Sequence, residues 1–335
     1  MIEIRQPLSF SEIGRKDNQE DYLYPQHADT NTRVFILCDG MGGHDNGEVA
    51  SKTAATVLGD YLSQFKYIDI PTFEAGLANA YDALDEIDTH SARKPGTTMT
   101  CLCLNKNNYL VAHIGDSRIY HIRPSLFNPE TGRGGILYQS SDHSLVNDLL
   151  KSGEITEEEA CNFPLKNIIT KAMQPHLEHR YKADVYEFND IAPGDYFFLC
   201  SDGVLEQLNN EQLCKILASS DLSDVEKLSA IKSKCDSLTH DNYTCWLIPL
   251  NKVKIEGNQN NSGVIVATAN QNCDGPDANK ILQAEAGDGL YPVKTNREQS
   301  ATRKRNFQLL FDIIILSFTF LAILVWIILK LIHAF

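Results

Sequence analysis

Acidic residues recur at the ends of apolar runs in this chain. RVFILCDG (33–40) ends on Asp39-Gly40, YLVAHIGDS (109–117) carries Asp116, YFFLCSDG (196–203) ends on Asp202-Gly203, and HDNYTCWLIPL (240–250) opens with Asp241. Glu20 and Asp21 form an adjacent pair just ahead of the apolar Tyr22 and Leu23. A single Asp-Gly step is usually only a turn. Recurrence in distant segments points instead to one shared carboxylate cluster, which needs cations to offset its own repulsion. Every ligand on offer is a hard oxygen, including the Gly40 carbonyl, which no side chain shields. Such a set suits Mg²⁺ or Mn²⁺ better than zinc. Two such ions roughly 3.5–4 Å apart can hold a water, lower its pKa and aim it at phosphorus. A cationic side chain would take the remaining phosphate oxygens.

The elements that must position these acids follow from pattern. Apolar runs of this length read as buried strands, which puts the acids at strand ends, on the rim of a sheet. Segment 47–66 sets Ala50, Ala54, Val57, Leu58, Tyr61, Leu62 and Phe65 on one helical face, and 72–91 does the same with Phe73, Leu77, Ala80, Leu84 and Ile87. TMTCLCLNK and YLVAHIG then pair as strands, with Asn107-Asn108 as the hairpin turn. Strands, then helices, then strands give an α+β arrangement of sheets covered by helices, not a strand–helix alternation. Residues 144–173 hold two short helical stretches, the second opened by Thr156, and read as a partly independent excursion over the sheet. His113, in a strand, and His143, in the DHS triplet, read as hydrogen-bonded structural residues.

With 335 residues, 43% of them hydrophobic, the chain can bury a large core. The net charge is −14, and it resides in residues 1–250, where 37 acidic residues face 21 basic ones. Such a domain repels nucleic acid, which is bound chiefly by neutralising phosphates. The nine cysteines form no Cys-x-x-Cys pair, and none is followed six positions later by Arg. That argues against a structural zinc site and against a cysteine-nucleophile phosphate loop. Cys38, Cys101, Cys103, Cys200 and Cys245 sit in strand-like runs and read as reduced, buried thiols of a cytosolic domain.

Beyond residue 250 the composition changes. Residues 251–306 read as a flexible linker rich in Asn, Gln, Gly and Ala, followed by a membrane segment. Ile313–Leu329 holds seventeen residues without a charge, and Leu309–Ile332 extends it to 24 with only Asp312 and Lys330. At about 1.5 Å per residue that spans a hydrocarbon layer roughly 30 Å thick. Arg297, Arg303, Lys304 and Arg305 precede it. The positive-inside rule then keeps the large domain cytoplasmic, so 307–335 reads as a single-pass tail anchor embedded in a lipid bilayer.

Taken together the motifs resemble the metal-dependent protein serine/threonine phosphatases of type 2C, the PPM family, in their bacterial form. The matching segments run in order over roughly residues 8–250: GRKDNQED (14–21), CDGMGGHDNGEVAS (38–51), GTTMTCLCL (96–104), AHIGDSRIYHIR (112–123), SSDHSLVNDLLKSGEITEEEA (140–160), NIITKAM (167–173), PGDYFFLCSDGVLEQL (193–208) and HDNYTCWLI (240–248). The resemblance implies a central β-sandwich of two antiparallel sheets flanked by helices, with a two-metal centre at one edge. Asp39 would bridge the ions, with the Gly40 carbonyl on one. Asp202 and Asp241 would complete the first ion's shell, Glu20 and Asp21 would serve the second, and Asp116 a third, weaker ion. Residues 144–173 would be the flap. The family's phosphate-binding Arg falls at Lys16 here, with Arg15 one place earlier, so either could bind the substrate's phosphate. Met41 stands where animal members carry a candidate acid His. The implied activity is hydrolysis of phosphoserine and phosphothreonine by a water bridging two Mn²⁺ or Mg²⁺ ions. The implied partners are phosphoproteins near the membrane, such as serine/threonine kinases or their substrates. A tethered pseudophosphatase that binds phosphoproteins without turnover is the alternative, and a metal-dependent nuclease is disfavoured by the acidity.

Overall fold

The computed structural model describes residues 2–42, 46–87, 94–161, 163 and 168–253, in which two antiparallel sheets pack face to face between layers of helix. One sheet holds β1 (Ile2–Ile4), β2 (Leu8–Glu12), β8 (Arg118–Ile122), β9 (Ile136–Gln139), β11 (Tyr196–Cys200) and β12 (Tyr243–Val253). Its order is β1-β12-β11-β8-β9, with β2 also on β12. The other holds β3 (Asp21–Tyr24), β4 (Val34–Met41), β5 (Gly96–Thr97), β6 (Met99–Leu104), β7 (Tyr109–Ile114) and β10 (Asp184–Phe188). Its order is β10-β7-β6-β4-β3, with β5 also on β4. Helices α1 (Asn46–Leu62) and α2 (Ile70–Asp85) follow β4; α3 (Leu145–Lys151) and α4 (Glu157–Cys161) precede β10; α5 (Asp202–Leu205), α6 (Asn210–Ala218) and α7 (Asp224–Cys235) lie between β11 and β12. The described residues of 1–150 and 156–271 make one compact unit.

The unbroken apolar runs have a physical reason: their strands are covered on both faces. In β4, Phe35 and Leu37 point into the sandwich with Trp246 and Phe197, while Ile36 and Cys38 pack under α1 and α2 with Leu58 and Phe73. In β11, Phe197 and Leu199 face inward, and Phe198 and Cys200 pack under α6 and α7 with Leu213 and Ile231. Cys38, Cys101, Cys103, Cys200 and Cys245 are buried free thiols, as expected.

Three element boundaries differ from the sequence reading. The first helix stops at Leu62, and Phe65 is 41% exposed. The chain must turn there, because the Asn105 side chain holds both the N–H and the carbonyl of Ile68 just before α2. The second helix starts at Ile70, earlier than expected, because the Asp69 carboxylate caps Thr72 and Pro71 fits the first turn. The β6–β7 hairpin turns over four residues, Asn105 to Asn108, and not two, since Leu104 pairs with Tyr109. Thr156 does open α4, exchanging hydrogen bonds with Glu159. The expected linker begins too early: residues 251–253 still belong to β12, where Val253 pairs with Ile2 and Lys252 with Glu3. The rest of it, and the membrane segment, lie outside the described residues. Among the described residues no helix is long and apolar enough to cross a membrane.

Candidate metal and phosphate site

Both sheets deliver acids to the same edge. Asp21, the first residue of β3, sits in register with Asp39 of β4. Asp39 is inside its strand and not at the tip, because β4 continues through Gly40 and Met41 to pair with β5. Asp116 follows β7, Asp202 opens α5 straight after β11, and Asp241 lies two residues before β12. The pairing of Cys200 with Cys245 sets the end of β11 beside the start of β12. A cavity of about 380 Å³ opens here, lined by Lys16, Glu20, Asp39, Gly40, Asp202 and Asp241, with Met41 and Ile169 on its walls. Asp21 and Asp116 do not line it, but their charges act on Asp39.

The backbone around each acid is pinned. The Asp39 N–H donates to Thr98 Oγ1 at 3.0 Å, and its carbonyl accepts from the Thr98 N–H at 2.9 Å and Thr97 Oγ1 at 3.0 Å. Any side chain on Gly40 would collide with the carbonyls of Glu20 and Gly47, so only glycine lets these segments meet. Gly203 is confined in the same way by the Asn242 carbonyl. Asn242 spends its whole carboxamide on the loop that carries Lys16 and Glu20. Its Oδ1 accepts from the Glu20 N–H at 2.8 Å, and its Nδ2 donates to the carbonyls of Ile13 and Asn18 at 2.8 and 2.9 Å. Ser201 Oγ donates to Asp21 Oδ2 at 2.7 Å while accepting from the Thr244 N–H.

The two basic candidates separate. Lys16 Nζ lies 2.8 Å from Asp241 Oδ1 on the cavity wall. Burial works against its charge, but the hydrogen bond and charge of Asp241 win, and its pKa is raised. Arg15 points elsewhere, donating to the Ser237 carbonyl at 2.6 Å.

The acids repel one another. Burial, and then the charges of Asp202 and Asp241, push Asp21 up to about 7. Burial and Asp202 push Asp116 to about 7, and burial and Asp241 push Asp202 to about 6. Asp39 is raised by burial and by Asp21, Asp202, Asp116 and Asp241. One buried oxygen each of Asp21, Asp116 and Asp202 has no hydrogen-bond partner. Buried, mutually repelling acids with open lone pairs and only hard-oxygen donors fit divalent Mg²⁺ or Mn²⁺.

A second group, His113, His143 and Asp184, brings potential ligand atoms within 4.8 Å of one another. One nitrogen of each ring is hydrogen-bonded to the backbone, while among the described residues His113 Nδ1 and His143 Nε2 have no hydrogen-bond partner. The two rings stack at 4.7 Å and 5°, so no single ion can lie near both ring planes. His143 Nδ1 accepts from the Gly115 N–H at 3.0 Å, which puts the proton of the neutral ring on Nε2, facing Asp184 Oδ2 at 3.3 Å. His113 Nε2 faces the Ser141 carbonyl at 2.9 Å. Each histidine thus has the backbone hydrogen bond expected of a structural residue.

Sequence reasoning passed over Asn242, Ser201, Thr97 and Thr98. Each adjoins or faces an acid, but nothing in a hydroxyl or amide marks it as a clamp until the strands are paired.

Known proteins similar to this chain are protein phosphatases. The pattern of the protein phosphatase 2C family matches residues 11–227. The protein phosphatase PhpP of Streptococcus pneumoniae is 32% identical over 267 residues, which cover 73% of this chain and 98% of PhpP. Among solved structures, the catalytic domain of the serine threonine protein phosphatase PstP, in complex with two manganese ions, superposes with a TM-score of 0.61 at 25% identity. That match covers 75% of this chain and all of that one. The serine/threonine phosphatase Stp1 from Staphylococcus aureus gives a TM-score of 0.59 at 30% identity, covering 75% and 95% of the two chains.

Proposed function

Because this chain belongs to the metal-dependent protein phosphatase 2C family, in its bacterial form, and is a protein serine/threonine phosphatase, we propose that its acid edge is the catalytic centre and that Lys16 receives the phosphate. The observation that carries the reading is the convergence of Asp39, Asp202 and Asp241 with Lys16 on one cavity. Asp39 and the Gly40 carbonyl, with Asp202 and Asp241, would hold one divalent ion at this cavity; Asp39 and Glu20, with Asp21 outside the lining, would serve another; Asp116, also outside the lining, would serve a third, weaker one. Bound Mn²⁺ or Mg²⁺ supplies Lewis acidity, acidifying a water and screening the phosphoryl charge. The chain's own residues do the rest. Asp39, fixed by Thr97 and Thr98, orients the reacting centre. Asn242 holds the Lys16 and Glu20 segments at a constant separation. The Lys16 ammonium offers a point charge to phosphate oxygens, while Asp241 keeps it protonated and aimed. Arg15, which donates to the Ser237 carbonyl and does not line the cavity, is the less favoured of the two.

The test is phosphate release from a phosphothreonine peptide with Mn²⁺. Asp39→Asn and Asp202→Asn should abolish turnover, and Lys16→Ala should raise KM. Full activity in either aspartate variant would defeat the assignment. A phosphoprotein-binding pseudophosphatase would show Mn²⁺ binding without turnover; no core acid is missing to favour it.

The location is a second part of the proposal. The uncharged Ile313–Leu329 run, with Arg297, Arg303, Lys304 and Arg305 ahead of it, supports a single-pass anchor with the catalytic domain on the cytoplasmic side. A chain as long as residues 254–306 reaches roughly 40 Å by random-coil scaling, which favours substrates at or near the membrane, among them membrane kinases. If the full chain and residues 1–306 partition identically without detergent, the anchor fails.

A further inference from the structure

Asp116 sits in a short segment gripped from both sides. Before it, Gly115 is bound to His143 twice: its N–H donates to Nδ1 at 3.0 Å, and its carbonyl accepts from the His143 N–H at 2.9 Å. After it, the Arg118 guanidinium meets both oxygens of Asp142 at 2.7 Å. The neighbouring Ser117 hydroxyl shares a bond of 2.8 Å with Thr98 Oγ1, the atom that also receives the Asp39 N–H. Gly115 has φ +105°, and a side chain there would strike Thr98. The segment therefore has almost no freedom that its clamps do not control.

Residue 143 is also where the 144–173 excursion begins. The His143 carbonyl accepts from the Thr170 N–H, and the Leu145 N–H donates to Ile168, so both roots of the excursion close on this point. At the far root, Met173 exchanges two backbone hydrogen bonds with Thr97, whose hydroxyl holds the Asp39 carbonyl. Ile169, between these roots, lines the catalytic cavity.

We propose that His143 is a positioning residue that sets Asp116 through Gly115 and ties it to the excursion. This rests on the reading of Asp116 as an ion-binding carboxylate. The working atom is Nδ1, an acceptor inside a buried ring; Nε2, toward Asp184, only orients that ring. The two nitrogens can be separated by substitution, since an asparagine amide reaches about as far as Nδ1 and a glutamine amide about as far as Nε2. His143→Asn keeps an acceptor for the Gly115 N–H. His143→Gln keeps a polar group for Asp184 and abandons Gly115.

The experiment uses the full chain in detergent. It compares the two variants and Asp116→Asn by Mn²⁺ calorimetry, by kcat and KM on a phosphothreonine peptide, and by metal-free melting temperature. Outer-shell partners of a metal cost about 10–100-fold in affinity or activity when lost. His143→Gln should fall in that range for the weakest Mn²⁺ event and for kcat, with KM changed less than about threefold. His143→Asn should stay within about threefold of the parent in every kinetic and binding parameter. Both should melt lower, having lost the same stacked ring. Equal damage in the two variants, or greater damage in His143→Asn, would overturn the Nδ1 role and leave the histidine as packing. If Asp116→Asn itself changes neither Mn²⁺ binding nor kcat, the reading of Asp116 falls, and this proposal with it.

Discussion

Two buried polar groups in this molecule differ in how completely they are satisfied. Inside the sandwich, Tyr109 Oη meets His121 Nδ1 at 2.7 Å, and His121 Nε2 meets Asp195 Oδ2 at 2.9 Å. Arg123 adds two bonds of 2.9 Å to Asp195, and the Ala192 N–H another. On paper this Tyr-His-Asp chain resembles a proton relay. It is sealed within the protein, with His121 and Asp195 each 1% exposed, and both carboxylate oxygens of Asp195 are paired. At the acid edge the same kinds of atoms are left short of partners and set against one another. Reactivity follows the unmet demand and not the inventory of side chains: a saturated network has nothing left to offer a ligand.

The largest expected contrast comes from removing one acid from each group. Asp39→Asn should reduce kcat by more than the roughly 10–100-fold that outer-shell partners of a metal cost, because it removes a ligand itself. It should raise the metal-free melting temperature, since a repelled buried charge is gone. Asp195→Ala should do the reverse. It strands His121 and Arg123, and breaking a buried pair from one side costs about 3–5 kcal/mol. The melting temperature should drop by roughly 10 °C, while kcat per folded molecule stays unchanged. A stabilising Asp195→Ala, or a destabilising Asp39→Asn, would undo the comparison.

The contrast also has a signature in pH. Asp21 and Asp116 at about 7 and Asp202 at about 6 stand above their ordinary value of 3.8. Between pH 4 and 7 the metal-free folded state therefore holds more protons than the unfolded chain, and stability should fall as pH rises. Asp195 behaves oppositely. Burial opposes its charge, but the bonds from His121 and Arg123 hold it below the ordinary range. Its contribution is present above the unfolded value and lost only as pH falls below it. Saturating Mn²⁺ should reverse the slope between pH 4 and 7, because the ions bind the deprotonated acids. Melting curves at pH 4–8, with and without Mn²⁺, read this directly. A flat metal-free profile would mean the acids do not interact as the geometry requires.

Sequence alone separates these groups only in part. Asp39, Asp116, Asp202 and Asp241 were legible because each adjoins an apolar run, and a run of that kind has a physical cause, burial on both faces. The helices were legible from periodicity. The turn between them was not, because Asn105 acts on Ile68 from 37 positions away; the Asp69 cap of the second is local, and periodicity alone does not register it. Nothing in GDYFF distinguishes Asp195 from a surface turn residue; its partners, His121 and Arg123, are supplied by the pairing of β8 with β11. Spacing likewise leaves Arg15 and Lys16 as equal candidates; the fold sets Lys16 on the cavity wall and turns Arg15 toward the Ser237 carbonyl.

That choice yields the smallest expected effect and the sharpest test of the open side of the comparison. Lys16 already gives one contact to Asp241 and has two more N–H bonds for a substrate. Lys16→Arg replaces a point charge by a planar fork that can hold phosphate through two parallel bonds while still reaching Asp241. KM for a phosphothreonine peptide should fall about threefold, and inhibition by inorganic phosphate should strengthen by a similar factor, with kcat unchanged, since bidentate geometry adds on the order of 1 kcal/mol. Arg15→Ala should leave both constants alone, because its guanidinium is committed to a backbone carbonyl on the outer surface. Should Arg15→Ala weaken phosphate inhibition while Lys16→Ala does not, the loop rearranges on substrate binding and Arg15 is the phosphate ligand after all.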